Sequence, residues 1–216
     1  MIYLVNYDAG NLLSIKRALI NLKFEFATIK TISNLNRDDI ILIPGVGSFD
    51  SASKKMMDAG LIDIAKEKPE NRPFIIGICL GMQLLMTYGL EGGKSNGLNL
   101  INGSVESILT KKPKDLEIPK TLIGWEKFKT KNLGQDFQWL EKYKKNSFYH
   151  VHSYMCIPDR SENIIATYDD DLQFIPNIIG DLKNKALGLQ FHPEKSGKAG
   201  LSLLKDTINN ISKVEK

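Results

Sequence analysis

Short apolar runs alternate with stretches of helical spacing through the first eighty residues. Ile2–Asn6 predicts a strand that runs into a turn at Tyr7-Asp8-Ala9-Gly10-Asn11, and Leu12, Ile15, Leu19 and Leu22 then recur at helical intervals. Phe24–Ile29 and Ile40–Ile43 predict a second and a third strand, the latter stopped by Pro44-Gly45-Val46-Gly47. A helical pattern follows from Asp50 to Lys66. Pro73 opens a fourth, fully apolar strand that ends at Cys79, and Met82-Gln83-Leu84-Leu85-Met86 suits the helix after it. Such alternation predicts a parallel sheet with helices on both faces.

The second half changes pattern. Ser104–Leu109, Gly124–Thr130, Ser147–Ser153, Ile164–Thr167, Asn177–Gly180 and Ala186–Phe191 read as strands with short connections, before a closing helix over Gly197–Ile211. The prediction is an α/β fold with a central, mostly parallel sheet flanked by helices and additional antiparallel strands in the C-terminal half. At 216 residues the chain suits one domain spanning residues 1–216. Sites in such sheets lie beyond the carboxyl ends of the strands, where both Pro44–Gly47 and Cys79 fall.

Cys79 stands in Gly77-Ile-Cys-Leu-Gly81, with a glycine two residues to either side. This is the spacing of a nucleophile elbow, a sharp strand-to-helix turn where larger neighbours collide. A thiol at a helix N-terminus also meets the positive end of the helix dipole, which favours the thiolate. The plain alternative is a buried core cysteine, and the glycines alone leave both readings open.

A base decides between them. Of three histidines, His192 lies in Gln190-Phe-His-Pro-Glu194, where a strand ends against a proline and a carboxylate follows two residues later. A histidine base needs a partner on its second ring nitrogen to fix the tautomer and stabilise the imidazolium, and Glu194 supplies one. Cys79, His192 and Glu194 therefore form a coherent nucleophile, base and orienting acid. His152 is the rival base, without a carboxylate near it in sequence. Acyl chemistry also needs an oxyanion site. The N–H of Leu80 and the Gly45-Val46-Gly47 segment are the candidates, with a simple strand-to-helix turn as the alternative for the latter.

Composition narrows the class only a little. Hydrophobic residues make up 42% and charged residues 25%, ordinary for a globular protein. No apolar stretch reaches the roughly 18 residues of a membrane span, and the N-terminus has no basic region or cleavage site of a signal peptide, so a cytoplasmic protein is expected. The net charge of +4 comes from scattered lysines without interleaved aromatics, which argues against nucleic acid as a partner. Cys156 lacks a glycine elbow and reads as structural.

Gly77-Ile-Cys-Leu-Gly-Met-Gln83 together with His192-Pro-Glu194 resembles the class I (triad) glutamine amidotransferases. Within them, Asn6-Tyr-Asp-Ala-Gly-Asn-Leu12, Pro44-Gly-Val-Gly-Ser-Phe49, Tyr149-His-Val-His-Ser-Tyr154 and His192-Pro-Glu-Lys-Ser-Gly197 are most similar to the glutaminase subunits of imidazole glycerol phosphate synthases. The resemblance spans nearly the whole chain and implies a flavodoxin-like fold. It also implies glutamine hydrolysis at Cys79, with Gln83, Glu91, Ser153 and Tyr154 helping to hold the glutamine. No metal or organic cofactor is implied. Ammonia would pass to a (β/α)8-barrel synthase (cyclase) subunit of histidine biosynthesis, met at or near Asn11, Trp125, Tyr149 and Lys195. One stretch departs from the family: Thr121-Leu-Ile-Gly-Trp-Glu126 stands where Pro-His-Met-Gly-Trp-Asn or a close variant is usual. That departure leaves room for a paralogous partner, a nucleotide-sugar amidotransferase that forms an acetamidino group. A non-catalytic interaction subunit, and a cysteine peptidase or thioesterase, are readings of other classes; the intact triad and the Gly-Met-Gln after the cysteine disfavour them.

Overall fold

The computed structural model describes residues 1–7, 11–31, 35–131 and 133–214. The predicted turn at Tyr7–Asn11 lies mostly outside them. In chain order, β1 (Ile2–Val5), α1 (Leu12–Asn21), β2 (Phe26–Ile29), β3 (Ile40–Ile43), α2 (Phe49–Asp58), α3 (Leu61–Lys66), β4 (Phe74–Ile78) and α4 (Leu80–Leu84) form the first half. They are followed by β5 (Met86–Gly89), β6 (Ser95–Asn96), β7 (Ile101–Ser107), α5 (Ile108–Lys111), β8 (Leu122–Glu126), β9 (Phe128–Thr130) and α6 (Gly134–Phe137). The chain closes with β10 (Phe148–His152), β11 (Tyr154–Pro158), β12 (Ile164–Tyr168), β13 (Pro176–Asp181), β14 (Ala186–Leu189) and α7 (Gly197–Val214).

The main sheet runs β2-β1-β3-β4-β14-β13-β12-β9. From β2 to β14 all pairs are parallel, and β13, β12 and β9 add on antiparallel. The expected α/β class and its antiparallel extension therefore hold. A strand covered on both faces carries no polar side, which is why β3 and β4 are continuous apolar runs. Their residues alternate between two cores. Ile40, Leu42, Phe74, Ile76 and Ile78 join α1 and α7 on one face; Ile41, Ile43 and Ile75 join α2, α3 and α4 on the other.

Several expected boundaries shift for local reasons. The helical stretch expected over Asp50–Lys66 forms two helices, parted at Gly60, whose φ of +73° suits glycine and breaks the helical run. The helix after Cys79 ends at Leu84, and Met86 opens β5, a strand not expected from the sequence. The Ser104–Leu109 strand is displaced to Ile101–Ser107, with Ile108 and Leu109 in α5. The Gly124–Thr130 strand divides into β8 and β9, which join different sheets. The last strand stops at Leu189, two residues before Phe191.

Two smaller sheets were not anticipated as separate units: β11-β7-β5-β6 and the pair β10-β8. The chain changes sheets at Ser153, between β10 and β11, and this places residues 151–154 over the carboxyl end of β4. Phe191, Phe148 and Phe128 form a cluster of rings with centroids 4.5, 5.5 and 6.2 Å apart, so aromatic contacts fasten β9 and β10 to the residue before His192. Each such contact adds about 0.5–1.5 kcal/mol beyond the area it buries.

Candidate active site

Cys79 joins β4 to α4 with φ +56° and ψ −111°, a conformation that costs a non-glycine residue free energy. The turn exists because its neighbours have no side chains. A Cβ on Gly77 would lie 2.3 Å from the Gly81 carbonyl oxygen, and one on Gly81 would lie 1.9 Å from that of Ile43. The backbone N–H of Cys79 donates to Leu189 at 2.7 Å, so the elbow is anchored to the neighbouring strand β14. Leu80 opens α4, and as a first-turn residue its N–H has no partner within the helix.

His192 follows β14 on the adjacent strand end. Its N–H donates to the Tyr149 carbonyl at 2.9 Å, and its own carbonyl accepts from the Ser196 hydroxyl at 2.6 Å. The Nδ1 of His192 lies 2.8 Å from Glu194 Oε1, with side chains 2% and 1% exposed. The Glu194 carboxylate is thus buried, while Lys195 faces out. Nε2 has no hydrogen-bond partner and is the free ring nitrogen. Burial alone would pull the imidazole down, but the side chains of Cys79 and Glu194 outweigh it and raise the pKa to about 10. A raised imidazole pKa favours the protonated ring, the state His192 reaches once the thiol has given up its proton.

The rival base is excluded by its partners. His152 Nδ1 lies 2.8 Å from the Tyr154 carbonyl and Nε2 lies 2.6 Å from the Tyr168 hydroxyl. Burial pushes its pKa down to about 3, so it is neutral and fully engaged. His150 is similarly lowered by burial, to about 4.

A cavity of about 240 Å³ opens over Cys79, smaller than the roughly 300–1,000 Å³ of drug-sized pockets. Val46, Gly47, Leu80, Gln83, Glu91, Ser153 and Tyr154 are among the residues that line it. Gly45 sits behind them, where the Tyr7 hydroxyl, bonded to the Pro44 carbonyl at 2.6 Å, and Leu80 leave no room for a Cβ. Gly47 has φ +115°, reserved for glycine. Gln83 Nε2 donates to the Tyr154 carbonyl at 3.3 Å and to Gln190 Oε1 at 3.4 Å. Glu91 accepts the Phe49 N–H at 2.8 Å, while burial raises its pKa and that hydrogen bond partly opposes the rise.

Three lining or adjoining groups escaped the sequence reading. Thr121 Oγ1 lies 2.7 Å from Ser153 Oγ, Val151 offers its carbonyl 4.0 Å from Cys79 Sγ, and Gln190 Nε2 lies 3.9 Å from that sulfur. Gln190 alone left a signal: a polar residue at the end of the apolar run Ala186–Phe191.

Of the residues expected at a partner surface, Trp125 and Lys195 flank Tyr149, and Asn11 heads the helix that packs against the turn carrying Lys195. Trp125, 55% exposed, meets Tyr149 edge-on at 6.0 Å, and Lys195 Nζ lies 5.9 Å from the centre of the Tyr149 ring. Asn11 stands at the start of α1, where its Oδ1 accepts from the Ser14 hydroxyl at 2.8 Å. Among the described residues no His/Cys/Asp/Glu group could hold a metal ion, and no helix is long and apolar enough to cross a membrane.

A family model described as glutamine amidotransferase class-I matches residues 4–211. The imidazole glycerol phosphate synthase subunit HisH of Methanopyrus kandleri is 34% identical over 97% of this chain and 98% of its own length. HisH of Chlorobaculum tepidum is 35% identical over 95% and 98%, and HisH 1 of Campylobacter jejuni 36% over 95% and 98%. Among solved structures, PurLQS from Thermotoga maritima superimposes with a TM-score of 0.69 at 18% identity, covering 96% of this chain and 97% of that one. A structure described as a glutamine amidotransferase gives 0.64 at 19%, covering 96% and 98%. At those identities the structural likeness speaks for the fold.

Proposed function

The chain belongs to the class-I glutamine amidotransferases, and we propose that it works through Cys79, His192 and Glu194 as the glutaminase subunit of an imidazole glycerol phosphate synthase. The observation that carries the reading is the buried His192–Glu194 contact at 2.8 Å, on the strand end next to a strained cysteine elbow. The pathway rests on relatives that share about a third of their residues over nearly full length and carry the HisH name. Their names give the nucleotide-sugar alternative no support.

The chemistry follows from the groups present. His192 Nε2 takes the thiol proton, and Cys79 Sγ attacks the side-chain amide carbon of glutamine. The developing oxyanion turns toward the Leu80 N–H and the Gly45-Val46-Gly47 segment, where fixed donors cost no reorganisation. The tetrahedral adduct collapses as His192 returns its proton to the leaving amine, which releases ammonia and leaves a glutamyl thioester. Water then attacks the thioester with His192 as base; glutamate leaves, and the proton goes back to the sulfur. Glu194 holds the ring on its edge and stabilises the imidazolium throughout. The Glu91 carboxylate matches the substrate's α-ammonium group, and Gln83, Ser153 and Tyr154 bound the rest of it.

The ammonia goes to a (β/α)8-barrel synthase subunit, docked over Asn11, Trp125, Tyr149 and Lys195. No cofactor takes part. Two buried free thiols suit the reducing cytoplasm in which we place the protein. Purification of the chain with its bound partner tests the pathway. A barrel synthase that forms imidazole glycerol phosphate and AICAR in a glutamine-dependent reaction is expected; a complex that amidates only a nucleotide sugar would overturn it.

A further inference from the structure

We propose that His152, clamped by Tyr168, is the positioning residue that sets the Ser153–Tyr154 wall of the glutamine cavity; the inference rests on the glutaminase reading. The wall lies where the chain leaves one sheet for another. β10 ends at His152 and pairs with β8, whereas β11 begins at Tyr154 and pairs with β7. Neither ladder includes Ser153, so side chains share with its one backbone hydrogen bond the task of fixing the wall.

The hydrogen bonds determine the protonation of the clamp. A backbone carbonyl only accepts, so His152 Nδ1, 2.8 Å from the Tyr154 oxygen, carries the ring proton. Nε2 then offers a lone pair, and the Tyr168 hydroxyl 2.6 Å away must donate. Both side chains are buried, and burial keeps the ring neutral and the phenol protonated. The relay thus has one direction, from Tyr168 on β12 through His152 to the Tyr154 carbonyl.

The other ties to the wall agree. The Tyr154 carbonyl also accepts from Gln83 Nε2, the Ser153 carbonyl accepts from the Ile108 N–H at 3.0 Å, and Ser153 Oγ meets Thr121 Oγ1. Both wall carbonyls are thereby held by the protein and not by the cavity's contents. Immediately before His152, the Val151 carbonyl lies 4.0 Å from Cys79 Sγ. A slip of the imidazole moves the wall relative to the sulfur while leaving Cys79, His192 and Glu194 themselves unaltered.

The test is steady-state glutaminase kinetics of the partner-bound protein, paired with the rate at which iodoacetamide alkylates Cys79. Tyr168→Phe removes only a hydroxyl from a buried ring. It is expected to raise KM for glutamine roughly ten-fold while kcat stays within about two-fold and alkylation is unchanged. His152→Ala is expected to exceed that loss. His152→Asn, whose amide nitrogen takes the place of Nδ1, is expected to recover most of the KM. An unchanged KM in folded Tyr168→Phe overturns the proposal, as does an equal loss of kcat and alkylation rate. Wild-type complex that turns over no glutamine would instead remove the glutaminase reading and this inference with it.

Discussion

Glu194 reaches His192 across one intervening proline, 2.8 Å from Oε1 to Nδ1, with both side chains almost completely buried. A two-residue separation leaves the pair little freedom, so the ring is oriented before any substrate arrives. Preorganisation of this kind spares the reaction the entropy of assembling its base.

Replacing that carboxylate tests its share. Glu194→Gln keeps the shape but removes the charge that, with Cys79, holds the imidazole pKa high. The expected result is a loss of roughly 10²- to 10⁴-fold in glutamine-dependent kcat, with a small change in KM. Steady-state rates on the partner-bound protein measure it.

The elbow makes a sharper steric prediction. Gly81→Ala would put a Cβ 1.9 Å from the Ile43 carbonyl oxygen, backbone that cannot step aside cheaply. The variant should unfold at least about 2 kcal/mol more easily, in the range of strained and overpacked sites, and lose glutaminase activity. Urea titration checks the first and a coupled glutamate assay the second.

The histidines predict a stability maximum near neutral pH. His192 is raised in the folded state, so its contribution is fully present below pH 6.5 and is lost as the pH climbs through about 10. His150 and His152 are lowered, so theirs is present above pH 6.5 and is lost as the pH falls toward about 4 and about 3. Urea midpoints taken from pH 5 to pH 9 should rise and then fall. The acid limb should flatten in His150→Gln.

Arg72 predicts a purely structural loss. Its guanidinium, buried beside the start of β4, donates to the carbonyls of Ala65 and Glu67 at 2.8 Å and of Asn184 at 2.6 Å, tying α3 to the β13–β14 turn. Arg72→Met takes the donor from three part-buried carbonyls and should cost about 1–3 kcal/mol. Thermal unfolding reads the change, while kcat of the folded fraction should hold.

Much of this was legible because burial on both faces of a parallel sheet writes itself as apolar runs, as in Ile40–Ile43 and Phe74–Ile78, both matched to within a residue. Cys79 and His192 were legible because glycine and proline punctuate the strand ends that carry them. What stayed hidden depends on contacts between distant segments. Met86 continues a helical pattern in sequence yet leaves the helix to pair with Ile101. Thr121 is an ordinary polar residue until β8 pairs with β10 and brings it to Ser153. His152 looked like a rival base because nothing in the sequence shows that Tyr168 occupies its second nitrogen.

During turnover Cys79 is expected to carry the glutamyl group. Acid quenching of the partner-bound enzyme during turnover of labelled glutamine, followed by peptide mapping, tests it most directly. Label is expected on the peptide containing Cys79 alone, absent from Cys79→Ala, which still makes product when supplied with ammonia. Full glutamine-dependent turnover by Cys79→Ala, or label on any other residue, would contradict it.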